Sequence, residues 1–375
     1  MRRKRKDVNT RAKGFPADQR SRIQSALLRW YARHKRDLPW RRRPTPYTTW
    51  IAEAMLQQTQ VAAVIPYYRR FLKLFPSIKA LAEAGEHDVL KAWEGLGYYS
   101  RCRNLHKAAR LIRSELGGRF PRTLDGLIAL PGVGRYTAGA IASIAMGQDA
   151  AVVDGNVIRV FARLLDYRGD VTKPRVRSMF WQVAAELLPP GRAGDFNQAL
   201  MDLGATVCKP RSADCARCPV RGDCCAFAAN TQDSLPRKAR KRARRHEEIG
   251  VGVVWREGKV LIARRPSEGL LGGLWEFPGG KQEPGETIAE CVRREVKEEL
   301  GVDVNVGALM MVVDHAYSHF TVTLHFHECA YESGEPQAIG CSEWRWVEPS
   351  EVKQYAFPSG SAKAVDAVAQ RSGQP

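Results

Sequence analysis

The chain has 375 residues, enough for two or three domains, and its 44% hydrophobic content is ordinary for a globular protein. No apolar run reaches the length of a membrane span, and no apolar stretch follows the basic N-terminus as in a signal peptide, so we predict a cytoplasmic protein without membrane contact. Residues 1–246 contain 47 basic and 20 acidic residues, whereas residues 247–375 contain 12 and 20. This asymmetry favours a polyanionic partner, nucleic acid, over a merely solubilising charge.

The composition changes several times along the chain. Residues 1–17 are charged and poor in apolar side chains, which predicts a disordered basic arm. Residues 18–228 have helical periodicity and predict an all-α domain. Residues 229–247 form a basic linker, and residues 248–369 predict a separate α+β domain. In that domain we predict one helix and several strands: helix Glu286–Leu300 and strands Ile249–Trp255, Val260–Ala263, Leu309–Val313 and Thr321–His327.

A glycine-rich turn separates two helical stretches within residues 124–146. Gly132 and Gly134 lie in the sequence Leu-Pro-Gly-Val-Gly-Arg-Tyr-Thr-Ala, and glycine permits a tight turn and close backbone approach. The second helix would begin directly after the turn, and its free N–H groups could bind a phosphate. The alternative interpretation is an ordinary helix corner.

Asp154 follows an apolar run and precedes Gly155 and Asn156. By itself, such an aspartate is best interpreted as the cap of a helix that starts near Val157. A glycine hairpin followed about 20 residues later by this aspartate resembles the helix-hairpin-helix DNA glycosylase superfamily. The resemblance covers roughly residues 20–228.

Four cysteines are clustered within 17 residues with six, two and five residues between them: Cys208, Cys215, Cys218 and Cys224. In a cytosolic protein this cluster favours a metal site over disulfides, and four thiolates can hold either zinc or an iron–sulfur cube. The spacing resembles the loop of endonuclease III and MutY glycosylases. That resemblance implies a [4Fe–4S] cluster on residues 208–224.

Two residues distinguish the chemistries of this superfamily. A lyase-type enzyme needs an amine nucleophile early in the second hairpin helix, where this chain has Tyr136. Glu53 is the only carboxylate in the otherwise apolar and amide-rich stretch 50–61. Burial would raise its pKa and keep it protonated, although most glutamates are exposed. The stretch resembles the catalytic helix of MutY-type adenine glycosylases, which implies a monofunctional enzyme.

The same resemblance extends over residues 93–101 and implies the remaining roles. Glu53 would protonate adenine and Asp154 would stabilise an oxocarbenium-like sugar, with Tyr136 and Asn156 in support. The positions that match DNA-contacting residues are Gln198 for the adenine and Gln58 and Tyr98 for insertion into the duplex. The implied partner is double-stranded DNA with adenine opposite 8-oxoguanine or guanine, bound by a nucleoid-associated monomer. A lyase-type repair enzyme and a non-catalytic DNA-binding protein are the rival classes.

The C-terminal part contains Gly280-x5-Glu286-x7-Arg294-Glu295-Val-Lys-Glu-Glu-Leu-Gly-Val, which matches the Nudix box. Glu295, Glu298 and Glu299 have helical i, i+3, i+4 spacing and share one face, where Mg²⁺ would relieve their repulsion. A solvated acidic helix face is the alternative. MutY enzymes usually carry a Nudix-like domain whose box has decayed, and this chain departs from that pattern.

Two hypotheses therefore stand for the C-terminal domain. Tyr317-Ser318-His319 resembles the loop with which MutY contacts 8-oxoguanine, so Ser318 and His319 would read that base in DNA. The complete box resembles MutT-type hydrolases of 8-oxo-dGTP, so the domain would also be a Mg²⁺-dependent nucleotide pyrophosphohydrolase. The two activities are compatible, and fusion to a complete glycosylase favours reading as the main role.

Overall fold

The computed structural model describes residues 15–239, 244–317 and 320–371. Its α-helices are α1 (Ala17–His34), α2 (Pro39–Arg42), α3 (Pro46–Leu56), α4 (Val61–Leu74), α5 (Ile78–Glu83), α6 (Glu86–Trp93), α7 (Tyr99–Glu115), α8 (Leu124–Ile128), α9 (Arg135–Ala140), α10 (Gly155–Leu164), α11 (Pro174–Leu187), α12 (Ala193–Thr206), α13 (Cys225–Ala228), α14 (Ile288–Leu300) and α15 (Ala362–Gln370). A π-helical turn, Ile141–Ala145, continues α9. The 3-10 turns are Cys215–Arg217, Arg221–Asp223, Gln232–Ser234, Pro349–Gln354 and Ser359–Ser361.

The strands all belong to the C-terminal sequence, as predicted. They are β1 (Arg245–Arg256), β2 (Lys259–Arg264), β3 (Trp275–Glu276), β4 (Gly279–Lys281), β5 (Asp303–Ala316), β6 (Phe320–Ser333) and β7 (Glu343–Val347). The four predicted strands correspond to β1, β2, β5 and β6, and the predicted helix corresponds to α14. The short strands β3, β4 and β7 and helix α15 were not predicted.

Close contacts divide the chain into two compact units. The first contains Met1–Leu72, Ser77–Lys79 and Ala108–Lys241, and the second contains Lys73–Pro76, Ala80–Lys107 and Arg242–Pro375, as far as these ranges are described. The second unit therefore groups α6 and the start of α7 with the sheet. These units do not coincide with the predicted boundary between residues 18–228 and 248–369, which stays a prediction.

The core of the first unit is built by the amphipathic helices α1, α10, α11 and α12. Helix α10 shows why: its apolar residues recur at helical spacing and are buried, namely Val157, Val160, Phe161 and Leu164. Two glycines allow close helix packing. A Cβ on Gly204 would lie 2.6 Å from the Cβ of Asn156, and one on Gly139 would lie 2.4 Å from the Ala151 carbonyl oxygen.

The sheet of the second unit has the order β3-β2-β1-β6-β5, with β4 paired to β1 and β7 paired to β2. Strands β1 and β6 are parallel, and the other pairs are antiparallel. Alternate residues of β1 face opposite sides, so Val253 contributes to one apolar cluster and Val254 to the other. Helix α15 covers the first side and α14 the second, which makes this part a layered α/β structure.

None of the helices in the described ranges is long and apolar enough to cross a membrane. Residues 1–14 of the predicted basic arm and residues 240–243 of the predicted linker lie outside the described residues.

Candidate active site and cysteine loop

Glu53 lies on α3, whose start is well defined by its sequence. The Thr45 side chain accepts from the backbone N–H of Thr48, the Thr48 hydroxyl accepts from the N–H of Thr45, and Pro46 occupies the first helical position. Almost the whole helix is buried, because its residues are apolar on every side. Glu53 lies on this buried helix and is only 5% exposed.

The Glu53 carboxyl is in an environment that favours its neutral form. Burial is the main cause that raises its pKa to about 7, the negative charge of Asp154 adds to the effect, and Tyr136 and Arg41 oppose it. Its Oε2 atom is buried and has no hydrogen-bond partner among the described residues. A buried carboxyl with one unpaired oxygen can hold a proton at neutral pH and present it to a bound group.

Tyr136, on α9, is close enough to both carboxylates for their charges to affect its pKa. Its hydroxyl donates to the Met201 sulfur at 3.3 Å, and its interaction with Glu53 contributes to the pKa shifts of both groups. The pKa of Tyr136 is raised well above its usual value by burial and by the charges of Glu53 and Asp154. The phenol therefore stays neutral and can orient Glu53.

Asp154 caps α10, as its position before Gly-Asn predicts. One carboxylate oxygen accepts from the Val157 backbone N–H at 2.7 Å and the other accepts from the Asn156 side-chain amide at 2.9 Å. Burial raises the pKa of Asp154, and these two donors lower it by favouring the carboxylate. Capping and a catalytic role are thus compatible at this position.

Arg159 connects Asn156 to neighbouring segments. Its guanidinium donates to the Asn156 side-chain oxygen and to the Gly204 carbonyl, each at 2.7 Å, and to the Cys208 carbonyl at 2.7 Å. Asn156 is consequently held from one side by Arg159 while it donates to Asp154 from the other. This arrangement orients the Asp154 carboxylate.

Sequence reasoning missed a buried ion pair near Glu53. Asp202 on α12 is fully buried and accepts from Arg41 at 2.7 and 3.0 Å and from Arg36 at 2.7 Å. Arg41 is close enough to Glu53 to lower its pKa. In the sequence, Arg41 is one of three consecutive arginines, and no periodicity signals that it pairs with a buried carboxylate.

Gln198 is buried at 9% exposure, not an ordinary surface amide, and its side chain donates to the Gly194 carbonyl at 3.1 Å. It lines a cavity of about 650 Å³. The other lining residues include basic side chains, among them Lys35, Arg36, Arg41, Arg42 and Arg192. The lining also includes Asp37 and Asp195, whereas Glu53, Tyr136 and Asp154 are not among the residues that line it.

Gln58 and Tyr98, each described within its own unit, share an unusual backbone conformation. Gln58 has φ 58° directly after α3, and Tyr98 has φ 49° directly before α7. Both residues are exposed, Tyr98 by 40%. Positive φ is costly for residues other than glycine and is concentrated at functional sites.

The predicted hairpin is formed by α8 and α9. Gly132 has φ 74°, which glycine adopts without steric cost, and Gly134 is the N-cap of α9 with no side-chain cap. Both glycines are exposed, so the first N–H groups of α9 are not covered by a capping side chain.

The four predicted ligand cysteines line one common pocket, and none of them forms a disulfide. Arg163 from α10 reaches into this loop, where it donates to the Cys208 sulfur at 3.2 Å and to the Lys209 carbonyl at 2.8 Å. The Cys224 thiol donates to the Arg163 carbonyl at 3.4 Å. Cys225, predicted to lie outside the set, does not line the pocket.

Within the described ranges, no three His, Cys, Asp or Glu side chains converge as ligands of a single metal ion do. A four-iron cube holds its cysteine sulfurs farther apart than one ion does. Four free thiols around one pocket, next to a buried arginine, therefore fit such a cube in ligand type and number.

Part of the Nudix box, including Gly280, lines a second cavity, of about 980 Å³. Glu295 and Glu299 of α14 line it together with Glu276, whereas Glu298 is exposed and accepts from Arg294 at 3.2 Å. Burial and the neighbouring carboxylates Glu276 and Glu295 raise the pKa of Glu299 to about 8. Ser318 and His319 lie outside the described residues.

Two family models match the chain. Residues 51–186 match the HhH-GPD superfamily of base excision DNA repair proteins, and residues 250–367 match the NUDIX domain. A solved structure of a thermostable thymine-DNA glycosylase is 29% identical, with a TM-score of 0.52, and the match covers 56% of this chain and 98% of that one. A complex of endonuclease III with DNA, at 22% identity and a TM-score of 0.50, shows the same fold.

Full-length relatives extend the similarity over both parts. The adenine DNA glycosylase of Rattus norvegicus is 38% identical, and the match covers 90% of this chain and 76% of the relative. That of Homo sapiens is also 38% identical, over 91% of this chain and 73% of the relative. The predicted family, fold class and enzyme class are thereby confirmed: the chain belongs to the adenine DNA glycosylase family, base-excision repair enzymes that act on DNA, and carries a C-terminal NUDIX domain.

Proposed function

We propose that this enzyme hydrolyses the N-glycosidic bond of adenine mispaired with 8-oxoguanine or guanine in double-stranded DNA. The observation that carries the proposal is the buried Glu53, whose pKa is raised to about 7, beside Asp154 and Tyr136. Two carboxyl groups in different environments can hold opposite protonation states, as the cleavage of a glycosidic bond requires.

The chemistry follows from these positions. The adenine leaves the base stack and reaches Glu53, whose proton is transferred to N7. The bond between C1′ and N9 then breaks, its electron pair goes to the adenine, and the carboxylate of Asp154 stabilises the positive sugar. Glu53, now ionised, accepts a proton from the water that adds to C1′. Adenine and an abasic site are the products.

We expect the reaction to end at the abasic site. Tyr136 occupies the position at which a lyase-type enzyme needs its nucleophile, and a phenol forms no Schiff base. Asn156 supports Asp154 through its 2.9 Å hydrogen bond. This proposal makes the enzyme monofunctional and predicts that strand cleavage requires added base.

We assign DNA contacts to residues whose local structure suits them. Gln58 and Tyr98 would insert into the duplex, and their exposure and positive φ support this role. The N-terminus of α9 behind Gly132 and Gly134 would bind a backbone phosphate. Gln198, which lines the basic cavity, would contact the adenine.

The cysteine loop would bind a [4Fe–4S] cluster through Cys208, Cys215, Cys218 and Cys224. When bound, the cluster supplies iron–thiolate bonds that cross-link the loop. Arg163 already fixes the loop to α10 through Cys208 and Lys209, so the loop and the helix capped by Asp154 form one structural unit. In the C-terminal domain, Ser318 and His319 would read 8-oxoguanine, and the protein would act as a monomer.

The proposal is tested with duplex DNA that contains one adenine opposite 8-oxoguanine. The purified protein and a Glu53→Gln variant are incubated with this duplex under single-turnover conditions, and the products are analysed with and without alkali. We expect strand breaks at the adenine only after alkali, and a rate at least about 100-fold lower for the variant.

Each alternative has its own signature. Breaks without alkali would indicate lyase chemistry and contradict the role assigned to Tyr136. An unchanged rate in Glu53→Gln would remove Glu53 as the acid. No break by wild-type protein, with the cluster verified by its visible absorbance, would overturn the glycosylase assignment on this substrate.

A second activity, hydrolysis of a nucleoside triphosphate such as 8-oxo-dGTP, is supported by one specific observation. Glu276, Glu295 and Glu299 line one cavity, and the pKa of Glu299 is raised to about 8 partly by the other two. Mg²⁺ bound to Glu295, Glu298 and Glu299 would relieve this repulsion and orient a diphosphate. The cavity, of about 980 Å³, is large enough for a nucleotide.

This second activity is tested by Mg²⁺ titration calorimetry and by the release of pyrophosphate from 8-oxo-dGTP. We expect Mg²⁺ binding and hydrolysis in the wild-type protein, and loss of both in Glu298→Gln and Glu299→Gln. Adenine excision in these variants serves as the control for folding. Absence of Mg²⁺ binding would leave reading of 8-oxoguanine as the role of the domain.

A further inference from the structure

The loop that carries Tyr98 has a strained backbone. Gly95 and Gly97 have φ 87° and 74°, and Tyr98 itself has φ 49°. A tyrosine adopts this conformation only when its surroundings enforce it. The contacts that enforce it therefore determine how the Tyr98 ring is presented.

Part of the support comes from within the loop. The Trp93 indole N–H donates to the Gly97 carbonyl at 3.1 Å, and the Arg101 guanidinium donates to the carbonyls of Gly97 at 3.0 Å and Leu96 at 3.3 Å. The Arg101 guanidinium also lies 5.1 Å from the centre of the Tyr98 ring. These contacts fix the loop's curvature.

The two ends of the loop are bound by a segment of the C-terminal sequence in the same compact unit. Glu94 accepts from the backbone N–H of Phe357 at 3.0 Å. The Tyr99 hydroxyl donates to the Phe357 carbonyl at 3.2 Å and accepts from the Gly95 N–H at 3.2 Å. Tyr99 and Phe357 are 3% and 2% exposed, so water does not compete for the bond between them, whereas the Glu94 side chain is 32% exposed.

The segment that makes these contacts is itself firmly held. The Ala356 carbonyl accepts from the Trp275 N–H at 2.9 Å, and the ring of Phe357 lies 5.2 Å from that of Phe277. The next residue, Pro358, lines the cavity of the NUDIX domain. The segment 356–358 thus joins the wall of that cavity to the Tyr98 loop by a continuous series of contacts.

We propose that Glu94 and Tyr99 are positioning residues through which the C-terminal domain, by way of Phe357, holds the Tyr98 loop in the conformation that enters the DNA duplex. The inference rests on the proposed role of Tyr98 in duplex insertion. It gives the C-terminal domain a direct part in adenine excision, in addition to any contact with the opposite base.

The test uses the full chain and a duplex with 2-aminopurine next to 8-oxoguanine, because 2-aminopurine fluoresces when it is unstacked. Tyr99→Phe removes only the bridging hydroxyl, and Glu94→Ala removes the acceptor for Phe357, whereas Glu94→Gln keeps an oxygen acceptor. The matched control is Tyr331→Phe, because the Tyr331 hydroxyl also donates to a backbone carbonyl, that of Gly334, at 2.9 Å.

We expect Tyr99→Phe and Glu94→Ala to lower the rate of the fluorescence rise and the single-turnover excision rate by roughly 3- to 10-fold, the effect of one or two buried hydrogen bonds. Glu94→Gln should restore most of the rate, and Tyr331→Phe should leave it unchanged. In a Tyr98→Ala background, Tyr99→Phe should cause no further loss of excision rate, because it acts through Tyr98.

Wild-type rates in both Tyr99→Phe and Glu94→Ala would overturn the inference and leave the role of Tyr98 intact. A full additional loss in the Tyr98→Ala background would also overturn it, since that result indicates a general structural effect. A fluorescence rise that persists in Tyr98→Ala would instead disprove the insertion role, and the positioning role would fall with it.

Discussion

The proposed role of Glu53 as the acid makes the pH dependence of the reaction depend on the pKa of one side chain. Its pKa of about 7 results mainly from burial on an apolar helix. The charge of an ionised Glu53 would be buried without a full set of hydrogen bonds, since its Oε2 has no partner among the described residues. The property that would make Glu53 a useful acid therefore also destabilises the folded protein at high pH.

The expected consequence concerns stability. The pKa of Glu53 is about 7 in the folded state, above its ordinary value of 4.5. The folded protein therefore loses stability as the pH rises from 4.5 through 7. Glu53→Gln should become more stable relative to wild type between pH 5 and pH 8, by up to about 3 kcal/mol. Urea unfolding at both pH values measures this difference. The exposed Glu115→Gln variant is the control, and an equal difference at both pH values would contradict the burial argument.

A second prediction about pH concerns Asp154, which the proposed mechanism needs ionised, whereas it needs Glu53 protonated. The Asn156 amide donates to its carboxylate and lowers its pKa, so Asn156→Ala should raise that pKa. The proposed mechanism needs Asp154 ionised, and the acidic limb of the excision rate should therefore move to higher pH. Single-turnover rates across pH test this, with exposed Asn305→Ala as control. An unshifted limb together with a lower rate would show that Asn156 acts only through structure.

At the scale of elements, the site depends on how closely α10 and α12 pack. Gly204 of α12 faces Asn156 near the start of α10, where an added Cβ would lie 2.6 Å from the Asn156 Cβ. Glycine is thus required at this helix contact because a Cβ atom does not fit there, and not because the backbone conformation needs glycine. The contact fixes the distance between α12, which carries Gln198 and Met201, and α10, which Asp154 caps.

Gly204→Ala should therefore push the two helices apart. We expect a loss of roughly 1–3 kcal/mol in the free energy of unfolding, as for other overpacked cores, and a lower excision rate. Gly222→Ala is a suitable control for stability, because a Cβ there would meet no atom within 4 Å. Thermal unfolding of both variants tests the argument. Equal stability of Gly204→Ala and wild type would show that the helices adjust at no cost.

For the whole molecule, the uneven distribution of charge predicts how DNA binding depends on salt. Residues 1–246 carry 47 basic and 20 acidic side chains, whereas the remainder is net acidic. Binding through the basic part would release counterions from the DNA and would depend strongly on salt. The acidic remainder should contribute little to this dependence.

We expect the affinity for a duplex of unrelated sequence to fall by about 1000-fold between 50 and 200 mM salt, on the order expected for six or more neutralised phosphates. Fluorescence anisotropy at several salt concentrations gives the slope. The thermal midpoint of the protein over the same range is the control for folding. A weak dependence would show that the basic residues are not the DNA-binding surface.

The sequence by itself determined the local features of this protein. Apolar periodicity predicted the helical part, the position of Asp154 predicted the start of α10, and strand signals predicted β1, β2, β5 and β6. The glycine–aspartate spacing and the cysteine cluster pointed to the family that the relatives confirm. These features depend on residues that are close together in the sequence, so the sequence alone can predict them. The short strands β3, β4 and β7 were missed because two to five residues carry too little periodicity.

Only the tertiary structure decided what depends on residues far apart in the chain. The pKa of Glu53 depends on burial and on Asp154, Tyr136 and Arg41, and the pairing of Arg41 with Asp202 has no local signal. The grouping of residues 80–107 with the C-terminal sequence, and the contact of Phe357 with Glu94 and Tyr99, likewise arise only on folding. Burial and long-range hydrogen bonds are properties of the packed chain, whereas helix and turn signals are properties of short segments.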